Sequence, residues 1–340
     1  MTPAESLTSA ETLETASLPL ADKQEEAVLS LPSALTLVEA VEFEKTVQGF
    51  YQATPNLKSL VLDFSQTTFI DSSGLGALVI CYRHSKAHSS QLILRGVQAQ
   101  VRMALEMTDL DQLFTFEAST SAPEPAVQAT VLASPPSTHP SVNSFGKRLI
   151  DVVGALVGLV ITAVLLVPIA IAIKLEDGGP IFFSQVRCSW LGKRFKIHKF
   201  RSMVTDAEAL KHKVQNQVEG PLFKNESDFR ITRVGRFLRK TSLDELPQFW
   251  NVLKGEMSLV GTRPPTPDEI EQYKVPEWQR LNVKPGMTGE WQVNGRSQVK
   301  SFEDVIRMDL AYQKNWNLLY DLQLILKTVL VVFSKRSGAA

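Results

Sequence analysis

The chain has 340 residues, 44% hydrophobic and 21% charged, with two cysteines and no net charge at neutral pH. Such a composition suits two folded domains and excludes a disulfide-stapled scaffold or a low-complexity chain. The balance hides an asymmetry: residues 1–143 carry 7 Lys+Arg against 16 Asp+Glu, a net −9, and residues 144–340 carry 29 against 20, a net +9. A basic second half suits anionic ligands or an anionic membrane surface.

In chain order, residues 1–27 are rich in Thr, Ser, Ala and Glu with no apolar period, which predicts a disordered tail without the basic start and apolar core of a signal peptide. Residues 28–117 alternate: a buried strand over Ser59–Phe64, a helix over Gly74–Ser85, a strand over Gln91–Leu94 and a helix over Gln98–Met107, the pattern of a small α/β domain. Cys81 and Cys188 stand in no C-x-x-C spacing and fit a reducing cytosol. His84 and His88 stand at i, i+4 in a polar run, which reads as a solvated helix end and not as a metal site. Residues 118–143 hold Pro123, Pro125, Pro135, Pro136 and Pro140 among Ser, Thr and Ala, the composition of a semi-extended linker.

The last segment, 144–340, opens on an apolar stretch with a membrane helix expected over 149–173. Val152–Ile173 carries no charge and would be about 33 Å long as a helix, against a hydrocarbon core of about 30 Å. Lys147 and Arg148 precede it, and Lys174, Arg187, Lys193, Arg194 and Lys196 follow it, so the positive-inside rule draws both ends to the cytoplasm. Pro168 deletes a backbone hydrogen bond and can kink the helix, which favours a re-entrant helix over a span. Leu318–Phe333 is apolar on most sides and suits either the membrane interface or a core.

The block Thr241–Pro264 carries the chemistry. Ser242 and Glu245 stand in capping-box spacing, and Leu246, Phe249, Trp250 and Leu253 recur on one helical face. Pro247 blurs that start, since at the fifth helical position it deletes one backbone hydrogen bond, whereas a helix capped by Asp244 would tolerate it. Asp244 and Glu245 would then lie in a first helical turn, where the helix dipole keeps carboxylates ionised and attracts phosphate. An ionised Asp can be a nucleophile towards phosphorus. The same acidic pair also reads as a plain surface cap.

Residues 144 to about 336 resemble the bacterial sugar transferases, the monotopic polyprenyl-phosphate phosphoglycosyl transferases. The resemblance rests on six motifs in order. They are K-R-L-I-D (Lys147–Asp151), F-S-Q-V-R (Phe183–Arg187), K-F-R-S-M (Lys199–Met203), the run Arg230–Gln248 containing L-D-E-L-P-Q, the run Asn251–Pro264, and K-P-G-M-T-G-E-W-Q-V-N-G-R (Lys284–Arg296). It implies a mixed, helix-rich monotopic fold with a re-entrant membrane helix, and transfer of a sugar 1-phosphate from a UDP-sugar to a polyprenyl phosphate. Carried over residue by residue, it makes Asp244 the nucleophile of an aspartyl-phosphate intermediate, with Glu245 aiding Mg²⁺ binding or proton removal. It also places Arg239 on phosphate, and Arg263 and Arg296 on the nucleotide sugar. Asp309 matches a family aspartate without an assigned role. Val167, Ser189 and Thr262 depart from the Ser, Gly and Pro common in the family.

Residues 28–117 resemble STAS (anti-sigma-factor-antagonist-like) domains through D-S-S-G-L-G-A-L (Asp71–Leu78) and Val101–Leu110. That resemblance maps a phosphorylated serine onto Ser72, beside the alternative that Ser72 only caps a helix, and implies a protein partner or kinase. Together these readings place the chain at the cytoplasmic face of a bacterial inner membrane. A rival reading is a membrane-tethered STAS adaptor with an inactive transferase half. An anion transporter is disfavoured by the single apolar segment, and nucleic-acid binding by the spread of Lys and Arg through the catalytic motifs.

Overall fold

The computed structural model describes residues 26–117, 138–217, 220–221, 225, 227–294 and 301–333. Two compact units divide the chain, Met1–Pro136 and Ser137–Ala340. The tail over residues 1–25, linker residues 118–137 and Arg296 lie outside the described residues.

The first unit runs β1 (Glu26–Ser30), β2 (Ala34–Leu35), α1 (Leu37–Ala53), β3 (Ser59–Asp63), β4 (Phe69–Ile70), α2 (Ser72–Ala87), β5 (Gln91–Arg95), α3 (Ala99–Met107) and β6 (Thr115–Glu117). Strands β1, β3, β5 and β6 form a parallel sheet in that order, and β2 pairs with β4. Register sets Leu29, Leu62, Leu94 and Phe116 in one row. Their leucines are buried, as expected where helices cover a parallel sheet. Helix α1, outside the elements expected from sequence, turns Ala40, Phe43, Val47 and Tyr51 inward at helical spacing, and a capping box from Thr36 and Glu39 starts it.

The second unit begins earlier than expected. Thr138–Asn143, read from composition as the end of the linker, belong to it. Thr138 Oγ1 donates to the Asn282 carbonyl at 2.7 Å, the His139 ring bonds the Gln313 carbonyl at 3.0 Å, and Pro140–Asn143 form a short helix, α4. Proline content misled there because Pro140 opens a helix, where a missing N–H costs nothing.

Helix α5 (Phe145–Asp177) follows, capped by Ser144 and closed by Gly178 in the left-handed region. At 33 residues it is about 50 Å long. Pro168 lies inside it and does not end it. One face lies against its own unit along the whole length. Ala155 packs with Phe195, Ile197, Val252 and Met257, while Ile169 and Ile173 pack with Phe200 and Leu238. The opposite face leaves Val153, Val157, Val160, Val164, Val167, Ile171 and Leu175 exposed. Buried polar contacts hold its first turns: Lys147 Nζ meets Asp321 at 2.7 Å and the Val260 carbonyl at 2.9 Å, and Asp151 accepts from Ser258 and the Leu259 amide, each at 2.8 Å.

After α5 come the antiparallel strands β7 (Phe182–Cys188) and β8 (Arg194–Phe200), then α6 (Arg233–Lys240), a 3-10 turn (Leu243–Gln248), α7 (Phe249–Lys254) and β9 (Ser258–Val260). The remainder holds α8 (Pro267–Ile270), a 3-10 segment (Val275–Asn282), β10 (Gly286–Thr288) parallel to β9, α9 (Glu290–Asn294), α10 (Phe302–Asn315) and α11 (Leu318–Phe333). Helix α11 answers the open choice both ways. Leu324 and Asp321 are buried, whereas Leu319, Leu322, Leu326 and Leu330 are exposed on one side.

Candidate active site

The acidic pair sits where α5, β8 and α6 converge. The expected capping box is absent: Ser242 has φ 56°, in the left-handed region, and its side chain caps nothing. Asp244 and Glu245 open a 3-10 turn, Leu243–Gln248, that continues into α7. The physical reason is Pro247, which cannot donate at the fifth position of an α-helix but is accommodated by the tighter turn. The apolar period is therefore split. Leu246 packs against the cluster that holds the α5 residues Ile169 and Ile173, and Leu253 against the cluster that holds Ala155, while Trp250 is 49% exposed.

Small residues let α5 approach the turn. A Cβ on Gly158 would lie 2.3 Å from the Phe249 ring, so only glycine fits there, and Thr162 Oγ1 reaches the Leu246 carbonyl at 3.3 Å. The membrane-type helix thus fixes the backbone that carries the dyad. Asp244 is buried. Glu245 is paired with Lys199 of β8, Nζ to Oε1 at 3.0 Å. Lys199 lies in the K-F-R-S-M motif, yet no spacing rule in one sequence could align a strand residue with an acid 46 positions later.

Arg239, on α6, is largely buried, which presses its pKa below the ordinary value while the Asp244 and Asp228 carboxylates oppose the shift. Its Nε donates to Ser202 Oγ at 3.0 Å. A Cβ on Gly235 would sit 1.9 Å from the Ser202 carbonyl oxygen, so glycine permits the approach that seats the arginine. The structure therefore brings Arg239 and the dyad together.

Arg263 forms a bidentate pair with Glu269 at 2.7 and 3.1 Å. Burial depresses its pKa, but the Glu269 charge prevails and raises it. Asp309 pairs with Arg280 at 2.6 Å, both essentially inaccessible. Arg280 also donates to Tyr273 Oη at 2.7 Å and to the Arg263 carbonyl at 3.3 Å, so Asp309 acts here on the scaffold. Arg187 and Glu269 complete this cluster, and sequence reasoning gave neither a role. The position of Arg187 in the F-S-Q-V-R motif was the available signal.

In the first unit Asp71 accepts from the Gly74 amide at 3.0 Å and caps α2. Ser72, the candidate phosphosite, is completely buried behind that cap. Its hydroxyl is out of reach of a kinase while the start of α2 is folded.

The acidic pair thus lies on a turn held against a long apolar helix, with Arg239 and Lys199 close to it. Residues 142–335 match the bacterial sugar transferase family, and residues 19–122 match the STAS domain. The chain belongs to the bacterial sugar transferase family and carries a STAS domain ahead of it. It is 48% identical over 188 residues to the galactosyl transferase CpsE of Streptococcus agalactiae, covering 55% of this chain and 42% of that protein. It is 44% identical over 201 residues to the undecaprenyl-phosphate galactose phosphotransferase of Salmonella typhimurium, covering 57% and 42%. With the exopolysaccharide production protein ExoY of Rhizobium meliloti the identity is 37% over 203 residues, covering 58% of this chain and 89% of ExoY. The chain thus spans less than half the length of the first two.

Proposed function

We propose that this protein moves a hexose 1-phosphate from a UDP-hexose to a polyprenyl phosphate such as undecaprenyl phosphate. It would do so at the cytoplasmic face of a bacterial inner membrane, starting an exopolysaccharide or another lipid-linked glycan. The observation that carries this is the buried Asp244, held on a turn fixed to α5 and flanked by Arg239 and the Lys199–Glu245 pair. Two of the relatives are a galactosyl transferase and a galactose phosphotransferase, which favours a hexose.

An Asp244 oxygen attacks the β-phosphorus of the UDP-sugar, and the bond from that phosphorus to the bridging oxygen breaks. UMP leaves with the electron pair, and the sugar phosphate stays on Asp244 as an acyl phosphate. An oxygen of the polyprenyl phosphate then attacks the same phosphorus and expels the Asp244 carboxylate, giving the polyprenyl diphosphate sugar. Arg239 neutralises charge on the transferring group, as a guanidinium fork suits phosphoryl oxygens. Lys199 holds Glu245 in place between turns.

Magnesium takes one or two protein carboxylates and completes its shell with substrate phosphates and water. Two adjacent acids fit that habit, and among the described residues no larger group of His, Cys, Asp and Glu competes for it. Asp244 and Glu245 would hold the ion, which supplies charge neutralisation on the diphosphate.

Membrane attachment from one side is supported by α5. Its first half packs on α7 and β9 and its second half on α6 and β8, all in one unit. Glu176, near its far end, accepts from the Arg233 amide at 2.6 Å, and Lys147, near its start, is bonded to Asp321. Ties to one body at both ends favour entry from one face over a span, with the exposed face of α5 in the membrane. The STAS unit would serve as a docking arm for a protein partner.

The test is purified full-length protein in lipid nanodiscs with UDP-galactose, UDP-glucose, Mg²⁺ and polyprenyl phosphate. UMP release with ping-pong kinetics is expected. Intersecting double-reciprocal lines would replace the covalent step with direct transfer. No release with any UDP-sugar would leave the adaptor reading.

A further inference from the structure

The arginines beside the dyad are unequally satisfied. Arg263 gives its terminal nitrogens to both oxygens of Glu269, so its planar fork is already occupied by a carboxylate. Arg187, on β7, meets the same carboxylate only at 3.9 Å, too far for a hydrogen bond. Its terminal nitrogens donate to the Pro264 carbonyl at 3.0 Å and Gln185 Oε1 at 2.9 Å, and its Nε, itself buried, has no acceptor among the described residues. A guanidinium has five N–H groups, so these two bonds leave Arg187 with three that lack an acceptor among the described residues.

The charges are unequal too. Arg280 is balanced by Asp309, but Arg187 and Arg263 together face the single carboxylate of Glu269. Burial and the neighbouring Arg263 pull Arg187 down to about 10, so it remains protonated at neutral pH. A confined cation with unpaired donors is unfavourable unless an anion completes it. The Arg187 side chain is 18% exposed, so a soluble anion can reach it. Arg187 lies within electrostatic reach of Glu245. Along β7 it lies about 17 Å from Phe182, whose ring is exposed next to the membrane-facing helix. That spacing favours a water-soluble anion over a lipid phosphate.

We propose that Arg187 grips the diphosphate of the nucleotide sugar, and that Arg263, clamped on Glu269, positions it without touching substrate. The assignment rests on the transferase reading above. The fork of Arg187 matches phosphoryl oxygens, and the carbonyl of Pro264 and the amide of Gln185 hold the fork's plane.

The test measures binding of inorganic pyrophosphate and of UDP to the full chain in nanodiscs by calorimetry, beside steady-state kinetics with UDP-hexose. Arg187→Gln and Arg187→Met should weaken pyrophosphate at least tenfold and raise KM for the UDP-sugar by a similar factor, with a smaller change in kcat. Arg187→Lys should recover part of the affinity. Glu269→Gln, which frees the Arg263 fork, should change KM without abolishing pyrophosphate binding. Unchanged pyrophosphate affinity in a folded Arg187 variant overturns the proposal, as does a wild-type protein that binds no pyrophosphate. If wild type binds pyrophosphate through Arg187 yet releases no UMP from any UDP-sugar, the anion site stands and the transferase reading falls.

Discussion

The two units bury different chemistry. The first hides hydroxyls: Thr67, Ser72, Ser73, Ser85, Ser90 and Thr108 are buried, with Asp71 the charged side chain among them. The second hides charges, among them Lys147, Asp151, Arg201, Asp228, Arg230, Asp244, Glu269, Arg280, Asp309 and Asp321. A buried hydroxyl can be satisfied by one nearby carbonyl, as Thr108 Oγ1 is by Ala104, although those of Ser73 and Ser90 have no acceptor or donor among the described residues. A buried charge needs a partner and costs several kcal/mol without one. Polar burial in the first unit serves the ends and seams of helices, whereas in the second it joins elements through paired charges such as Lys147–Asp321 and Arg280–Asp309.

Replacing the proposed nucleophile separates the units most sharply. Asp244→Asn should lower UMP release by about 10⁴-fold or more while thermal melting and the membrane-bound fraction stay near wild type. Wild-type turnover in that variant would remove Asp244 from the chemistry. Breaking an interior ion pair comes next. Lys147→Met strands Asp321 among Tyr312, Trp316 and the Val260 carbonyl, and about 3–5 kcal/mol of stability should be lost in detergent-solubilised unfolding curves. The matching change in the first unit, Arg95→Gln, breaks the exposed Arg95–Glu117 pair and should cost less than about 1 kcal/mol. Equal losses from the two variants would erase the contrast.

How much of this was legible follows from the same contrast. The strands at Ser59–Asp63 and Gln91–Arg95 and helices α2 and α3 follow from apolar runs and turn residues, because local pattern decides them. Helix α1 was passed over although Ala40, Phe43, Val47 and Tyr51 mark its face, since its exposed side mixes Val38, Glu42 and Lys45 without a clean boundary. In the second unit motifs pointed to Asp244, Glu245, Arg239 and Arg263 but not to what each touches. That Asp309 faces Arg280 and that Lys199 faces Glu245 are long-range facts set by packing, whereas Arg263 meets Glu269 across the short turn into α8. The cap geometry at Ser242 failed for a local reason, the proline at 247, which the sequence did display.

The pH response should sharpen the comparison further. Burial alone would raise Glu269, but Arg263 and its hydrogen bonds hold the folded value below the ordinary 4.5. Stability from Glu269 is then complete above pH 4.5 and is lost as pH falls through that depressed value. The melting-temperature gap between wild type and Glu269→Gln should narrow on acidification below 4.5, and a gap that widens there would contradict the paired state. Closer packing gives a smaller effect. Gly158→Ala drives a methyl into the Phe249 ring and should cost about 1–3 kcal/mol, with a matching fall in UMP release because Phe249 follows directly on the turn that carries the dyad.

The smallest effect tests the first unit on its own terms. Asp71→Ala removes the carboxylate that accepts from Gly74 at the start of α2, and losing such a cap costs about 1 kcal/mol. UMP release should be unaffected in the assay with purified enzyme. Ser72→Ala should change little, because a methyl fills the same buried space. Ser72→Asp, often used to imitate phosphorylation, would force a second carboxylate into a buried site beside Asp71 and should lower the melting temperature more than Asp71→Ala does. If Ser72→Asp instead melts with wild type and alters UMP release, the start of α2 opens readily and the hydroxyl is a switch after all.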